Sequence, residues 1–396
     1  MQATTPETSN AVVLGEPSEP LTYPGSDRFD ATQLAIAGSK PIDLGAEPLI
    51  RASDIAYMRF QVPDLERQKT FLLDFGMHVA HQDENALYMR GTGKSPFLYV
   101  AELGKTPAFL GSGFVVEEQA DLEKLARNTG TTIEPVDAPG GGHRIRLVDP
   151  DGFTVDVIQG RKEARPMLTR RVALPTNGPI EKKRVNQGQR TSFEPTPVER
   201  LGHFVLLVSD FEASWAWYRR HLGVLPSDVL CAENGSPIMA FTRLDLGNQP
   251  ADHHTLMIAQ GLRPQFMHSA YEAVDQDAVG QGQQFLKSRK WRHAWGMGRH
   301  ILGSQIFDYW FDPYGFEIEH YSDGDVFDAS YPTQYHLADR ANLWAWGDDL
   351  PKHMNAKVSL KDVWALLRKK MRGEDLSRIF GAKRAMEYPA RPWIKW

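Results

Sequence analysis

One cysteine, Cys231, is all the thiol chemistry this chain has. That excludes an intrachain disulfide and any thiolate-rich metal site, so a bound metal would have to rest on His and carboxylate groups. Long apolar runs are missing as well: no stretch approaches the roughly 18 uninterrupted apolar residues of a membrane span. Met1 to Glu19 is rich in Thr, Ser, Pro and Glu and lacks a basic segment followed by an apolar run, which argues against a secretory signal. The expectation is a soluble, cytoplasmic protein with no membrane partner. An excess of one charge is absent too, since 45 Lys and Arg stand against 50 Asp and Glu for a net −5. That balance points away from nucleic acid and toward a small or neutral partner.

What the chain does have is length. At 396 residues it exceeds one average domain, which predicts two core-forming units. Residues 1–50 are Pro-, Ser- and Gly-rich with weak periodicity and read as an extended arm, draped over a partner subunit. Residues 161–197 are irregular again, with the basic clusters Arg170-Arg171 and Lys182-Lys183-Arg184, and read as a solvated linker. The units between and after them are 51–160 and 198–325, with 326–396 as a C-terminal extension.

The two units resemble each other. Ile55 to Val62 reads as a strand followed by Asp64-Leu65-Glu66 and a helix ending near Gly76. Leu201 to Val208 reads as a strand followed by Asp210-Phe211-Glu212 and a helix ending near Gly223. In the second helix Ser209 and Glu212 have capping-box spacing, Phe211, Trp215, Tyr218 and Leu222 share a face, and Gly223 supplies the stop. The ends match as well: Asp149-Pro150-Asp151-Gly152 and Asp312-Pro313-Tyr314-Gly315 each form a tight turn into an alternating strand. This is a duplication, with each half predicted to be two strand–helix–strand–strand–strand modules.

Laying one half on the other isolates the chemistry. His203 falls opposite Tyr57, Glu319 opposite Asp156, and His268 opposite the Gly111 to Gly113 region. The second half thus has two His and one Glu on strands where the first has no comparable set. Two imidazoles and a carboxylate occupy one face of an octahedral Fe(II) and leave three positions open. The 13 histidines allow other triples, and a single His in an apolar strand is more often a hydrogen-bonded core residue. Alternation puts Glu319 beside Glu317 and away from Ile318 and His320, where a buried carboxylate is costly without a cation.

The run Gly298-Arg299-His300, then Tyr309, Asp312-Pro313-Tyr314-Gly315 and Glu319 resembles the pattern of type I extradiol dioxygenases of the vicinal oxygen chelate superfamily. The order of parts is similar too: a Leu-Gly-His strand, a His-Thr element, a second His, Gly-Arg-His, Tyr and Glu. Asp308 departs from the pattern, which usually has an apolar residue before the Tyr. The resemblance covers about Arg51 to Asp325 and is specific only in the second half. It implies an α+β fold of duplicated βαβββ modules in two barrel-like halves, with a non-metal first half and a catalytic, metal-binding second half.

It also implies a function: ring opening of a catechol next to its diol by O2 at one Fe(II), with Mn(II) as a variant, in the breakdown of aromatic compounds. The ligands would be His203, His268 and Glu319. His254 would be the acid–base histidine, with adjacent His253 pointing the other way, and His300 and Tyr309 would hold substrate and oxygen atoms. His293, His320 and His336 read as surface or packing histidines. Trp295 and Phe307 are expected in the pocket wall. The homoprotocatechuate branch has an Arg where this chain has Trp295, which favours an uncharged diol. Tyr331 to Leu350 is expected beside the site opening, and the rest of the tail, with Trp393 and Trp396, against a neighbouring copy in a homo-oligomer. The competing readings are a metal-dependent isomerase or lyase of the same superfamily, and a non-catalytic binder of aromatic ligands.

Overall fold

The computed structural model describes residues 41–386, except 171, 191, 341, 342 and 355–358. Most of the expected arm, Arg171, Trp393 and Trp396 therefore lie outside the described residues. The described end of the arm packs on its own chain: Ile42, Leu49 and Ile50 are buried, and Trp215 donates its indole N–H to the Asp43 carbonyl at 2.6 Å.

The first half runs β1 (Asp54–Val62), α1 (Leu65–Asp74), β2 (His78–Gln82), β3 (Ala86–Arg90) and β4 (Tyr99–Leu103). It continues with β5 (Ala108–Val115), α2 (Gln119–Thr129), β6 (Glu134–Pro135), β7 (His143–Val148) and β8 (Thr154–Gln159). The sheet order β2-β3-β4-β1-β5-β8-β7-β6 is two βαβββ modules joined by an antiparallel β1–β5 pair.

The second half repeats the plan. Its first module is β9 (Arg200–Val208), α3 (Phe211–Leu222), β10 (Leu225–Cys231), β11 (Pro237–Arg243), the short β12 (Ala251–Asp252) and β13 (Leu256–Gln260). Its second is β14 (Gln265–Glu272), α4 (Gln276–Ser288), β15 (Arg292–Arg299), β16 (Ile306–Phe311) and β17 (Glu317–Ser322). After these come β18 (Val326–Phe327), β19 (Gln334–Leu337), β20 (Trp346–Gly347), α5 (Leu360–Met371) and α6 (Ser377–Ala385). The sheet reads β19-β10-β11-β13-β9-β14-β17-β16-β15-β20, with β12 and β18 paired separately. The duplicated α+β fold is the one the sequence predicts.

The turns that carry the repeat also bind the halves together. Gly152 and Gly315 adopt φ of 92° and 91°, the conformation the Asp-Pro-x-Gly turns require. Asp149 of the first half accepts the Tyr218 hydroxyl from α3 at 2.9 Å, and Asp312 of the second accepts the Gln68 amide from α1 at 3.0 Å. This exchange overturns one local expectation, the Ser209–Glu212 capping box. The Ser209 amide and hydroxyl are both taken by Asp151 from the other half, and Asp210 caps α3 by accepting from the Ala213 amide at 3.1 Å. One buried cluster runs through both halves, with Phe60, Phe75 and Phe114 joined to Phe204, Tyr218 and Trp310.

The C-terminal segment edges the second sheet on both sides. β19 pairs in parallel with β10, and β20 pairs with β15. α6 packs Ala385 on its own chain against Leu230, Ala232 and Ile238 and leaves Phe380 half exposed. α5 leaves Leu360, Val363, Trp364, Leu367 and Met371 exposed. Among the described residues no helix is long and apolar enough to cross a membrane.

Candidate metal centre

Register alone assembles the site. On β14, Ala270 pairs with His203 of β9 on one side and with Glu319 of β17 on the other. Side chains two apart on a strand share a face, so His268 joins the same side of the sheet. The row extends through Tyr309 of β16, paired with Glu319, to Trp295 of β15, paired with Tyr309. The Gly in Leu201-Gly202-His203 has a steric cause: a Cβ on Gly202 would lie 1.9 Å from the Tyr321 hydroxyl.

The three expected ligands converge. His203 Nε2 and His268 Nε2 each lie 3.4 Å from Glu319 Oε2, and one donor atom from each residue falls within 4.8 Å of the others. Adjacent corners of an octahedron with bonds of about 2.1 Å are about 3 Å apart, so a small relaxation would let one ion reach all three. The donor atoms also want a partner. His268 Nε2 and both Glu319 oxygens are buried with no hydrogen bond, a costly state that a divalent cation relieves. Without a cation, burial pushes the Glu319 carboxyl up to about 8 and the His203 imidazole down to about 3. The residues fit a metal ion.

His254 stands at the edge of this cluster, its ring centroid 4.1 Å from that of His203. Its Nδ1 lies 3.0 Å from Nδ1 of His253, so the neighbouring imidazole is turned toward His254 rather than away from it. Burial, then nearby imidazoles, drives the His254 pKa well below its usual value and keeps the ring neutral.

His300 and Tyr309 form a directed pair. His300 Nδ1 donates to the Leu343 carbonyl at 2.6 Å, which fixes the tautomer and leaves Nε2 as an acceptor. The Tyr309 hydroxyl, 2.9 Å from that Nε2, donates to it. The phenolic oxygen then has only lone pairs to offer a bound molecule. Phe307 is fully buried and stacks on His300 at 4.2 Å, beneath the pair. Trp295 is also buried, donates its indole N–H to the Asp348 carbonyl at 2.8 Å and stacks on Tyr309.

The histidines expected at the surface or in packing, His293, His320 and His336, each have a carboxylate or carbonyl partner. Asp308, the departure from the family pattern, faces α4 and accepts from Gln283, His293 and Trp310 at 2.9, 2.8 and 2.6 Å. His320 donates to the Phe75 carbonyl at 2.7 Å. His336 lies fully buried against Asp228. Sequence reasoning missed Asp228, the Leu343 carbonyl and Gln305, whose amide lies 3.5 Å from His203 Nδ1. Only Asp228 had a signal, a lone carboxylate in the apolar run before Val229-Leu230-Cys231. A surface cavity of about 810 Å³ lined by Arg170, Arg184 and Arg190 includes none of the site residues.

Residues 200–320 match the family described as the Glyoxalase/Bleomycin resistance protein/Dioxygenase superfamily. The chain is 26% identical over 333 residues to metapyrocatechase 2 of Cupriavidus necator, covering 82% of this chain and 97% of that one. It is 25% identical over 314 residues to an iron-dependent extradiol dioxygenase of Rhodococcus jostii, covering 74% and 96%. The fold superposes on homoprotocatechuate 2,3-dioxygenase from Arthrobacter globiformis with a TM-score of 0.65 at 20% identity, covering 81% of this chain and 95% of that one. The second half therefore contains a glyoxalase-type, or vicinal oxygen chelate, domain. The curated relatives to which the chain is similar are extradiol dioxygenases.

Proposed function

We propose that this protein opens the ring of a catecholic substrate next to its two hydroxyls, with O2 as co-substrate, in the degradation of an aromatic compound. His203, His268 and Glu319 would hold one Fe(II), and Mn(II) suits the same imidazole and carboxylate donors. The observation that carries the reading is the convergence of those three side chains, with buried donor atoms that nothing else satisfies. The kinship to an iron-dependent extradiol dioxygenase supports it. When bound, the metal would make a diol hydroxyl more acidic and relay electron density to dioxygen from the diol, which is the group oxidised.

The chain's own groups handle protons and position. His254, neutral because it is buried, accepts a proton from the second hydroxyl and returns it later. Tyr309 offers lone pairs to a substrate hydroxyl and can pass a proton to His300 Nε2. The resulting imidazolium is stabilised by the Leu343 carbonyl on Nδ1. The donor geometry argues for this role rather than for a phenol donating to a ring-oxygen anion. The indole of Trp295 and the buried Phe307 keep water from one side of this pair. The exposed stripe on α5 supports association with further copies of the chain.

Anaerobic loading with Fe(II), followed by a small catechol panel under air, tests the proposal. Oxygen uptake with a yellow ring-opened product, lost in His203→Ala, is the expected result. Product without oxygen uptake would favour an isomerase or lyase. Tight binding of an aromatic diol by protein stripped of metal, without turnover, would favour a binding protein.

A further inference from the structure

Behind His254 lies a buried chain of polar groups that the ring-cleaving site does not account for. Asp228 of β10 holds one imidazole on each carboxylate oxygen, His253 Nε2 on Oδ2 and His336 Nε2 on Oδ1, both at 2.5 Å. A carboxylate held this way can only accept, so both histidines present Nε2–H to it. His336 Nδ1 is buried with no partner, and an orphan lone pair costs less than an orphan N–H, so His336 is the neutral Nε2–H form. A neutral His253 that donates Nε2–H to the carboxylate keeps Nδ1 as a lone pair. That lone pair faces His254 Nδ1 at 3.0 Å.

Only one assignment joins these neutral groups without a clash of protons. His254 donates Nδ1–H to His253, His253 donates Nε2–H to Asp228, and His254 Nε2 is left as the unprotonated atom. We propose that Asp228 and His253 are positioning residues that fix His254 as its Nδ1–H tautomer, with the basic nitrogen turned to the bound substrate. The proton role given to His254 rests on the ring-cleavage reading; the tautomer does not. When Nε2 takes a proton from a bound hydroxyl, the new imidazolium shares Nδ1–H with His253. The His253 Nε2–H stays on the Asp228 anion, which spreads the charge without itself being protonated.

The chain is held from several directions. The His253 amide donates to the Asp325 carbonyl at 2.8 Å, and its ring packs between Phe241 and Phe327. Gly303, at φ 82°, allows the ring to sit close, since a Cβ there would lie 2.9 Å from His253 Nδ1. The C-terminal segment enters as well, because His336 reaches Asp228 through the β19–β10 pairing.

Long-range ¹H–¹⁵N correlation spectra of full-length, ¹⁵N-histidine-labelled protein test this, with zinc as a diamagnetic occupant of the metal site. The His254 signals are assigned by their loss in His254→Gln. The expected result is a protonated-type Nδ1 and an unprotonated-type Nε2 in the unsubstituted protein; the reverse pattern would overturn the proposal. A second arm uses Asp228→Asn, accepted only if it binds zinc with parent stoichiometry. Loss of the single-tautomer His254 signature, with kcat on the iron-loaded enzyme down about 10- to 100-fold and KM within about threefold, is expected. An unchanged His254 spectrum in that variant would sink the idea whether or not the protein cleaves catechols.

Discussion

Tyr57 donates its phenolic proton to Asp156 at 2.8 Å, at the two first-half positions that His203 and Glu319 hold in the second. Where the second half has Ala270 between its ligands, the first has Gly113, and the Tyr57 ring lies over it. Arg146, in register with Asp156 as Tyr309 is with Glu319, forms a bidentate pair with that carboxylate at 2.7 and 2.9 Å. Arginine and tyrosine thus satisfy the buried acid that a cation would satisfy in the other half. Asp156→Ala should lower unfolding free energy in urea by about 3 kcal/mol or more, because it strands a partly buried guanidinium, and leave metal stoichiometry near parent. A loss below about 1 kcal/mol would show that the pair braces nothing.

The second half makes the opposite prediction. With Glu319 and His268 unpaired inside the protein, a bound ion should add stability as well as chemistry. At about 100 times Kd, Fe(II) or Mn(II) should raise unfolding free energy by about 3 kcal/mol under anaerobic conditions. His203→Ala should abolish that increment while keeping the fold. An equal increment in the parent and the variant would mean that the ion binds elsewhere.

The duplication was legible because strands alternate with period two and both Asp-Pro-x-Gly turns keep their glycines. Once the halves are matched, the β9, β14 and β17 register follows, and with it the meeting of His203, His268 and Glu319. Contacts made between halves left no local trace. Ser209 looked like a helix cap, yet Asp151 in the other half competes for both its polar groups. Nor could spacing reveal the Leu343 carbonyl, a backbone acceptor available anywhere in the chain. Asp228 and His336 meet only because β19 returns beside β10, a pairing with no sequence signature. The direction of His253 was misread because alternation was assumed where β12 ends and the chain bends toward β13.

Asp312 supplies a test of the turn that ties α1 to the second half. Burial, opposed by the Tyr314 and Phe316 amides and by Gln68, holds this carboxyl up at about 6 against an ordinary 3.8. The folded chain therefore keeps a proton between those values that the unfolded chain has lost. Its contribution is most favourable below about pH 4 and declines as pH rises toward 6, by about 3 kcal/mol for about two units. In Asp312→Asn the amide oxygen still accepts the turn amides, and a flip of the Gln68 carboxamide, which now donates Nε2–H to the acid, lets Nδ2 donate to Gln68 Oε1, an atom buried without a partner in the parent. Urea unfolding across this pH range should show the decline flattened in the variant, and greater stability than the parent at about pH 7.5. Parallel curves for the two proteins would rule this out.

Trp295 carries the prediction about substrate charge. It ends the row that begins at His203, and its indole is tied to the Asp348 carbonyl and stacked on Tyr309, so it cannot swing aside without breaking both contacts. No guanidinium stands at that position on the row. Nearby cations are engaged elsewhere: Arg292 lies 3.7 Å over the Phe311 ring, and Arg299 bonds Ser304 and Asp323. A diol with a carboxylate side chain directed here would bury an anion against an indole while these two arginines stay engaged, at a cost of several kcal/mol. A neutral alkyl or aryl substituent would instead gain from apolar contact. The ratio of kcat/KM for catechol or 3-methylcatechol over that for 3,4-dihydroxyphenylacetate should reach about 100 or more, equivalent to about 3 kcal/mol. Trp295→Arg should narrow that ratio by favouring the acid. Equal turnover of the two diols by the parent enzyme would mean that the carboxylate is received at another wall, and Trp295 would lose its place in selectivity.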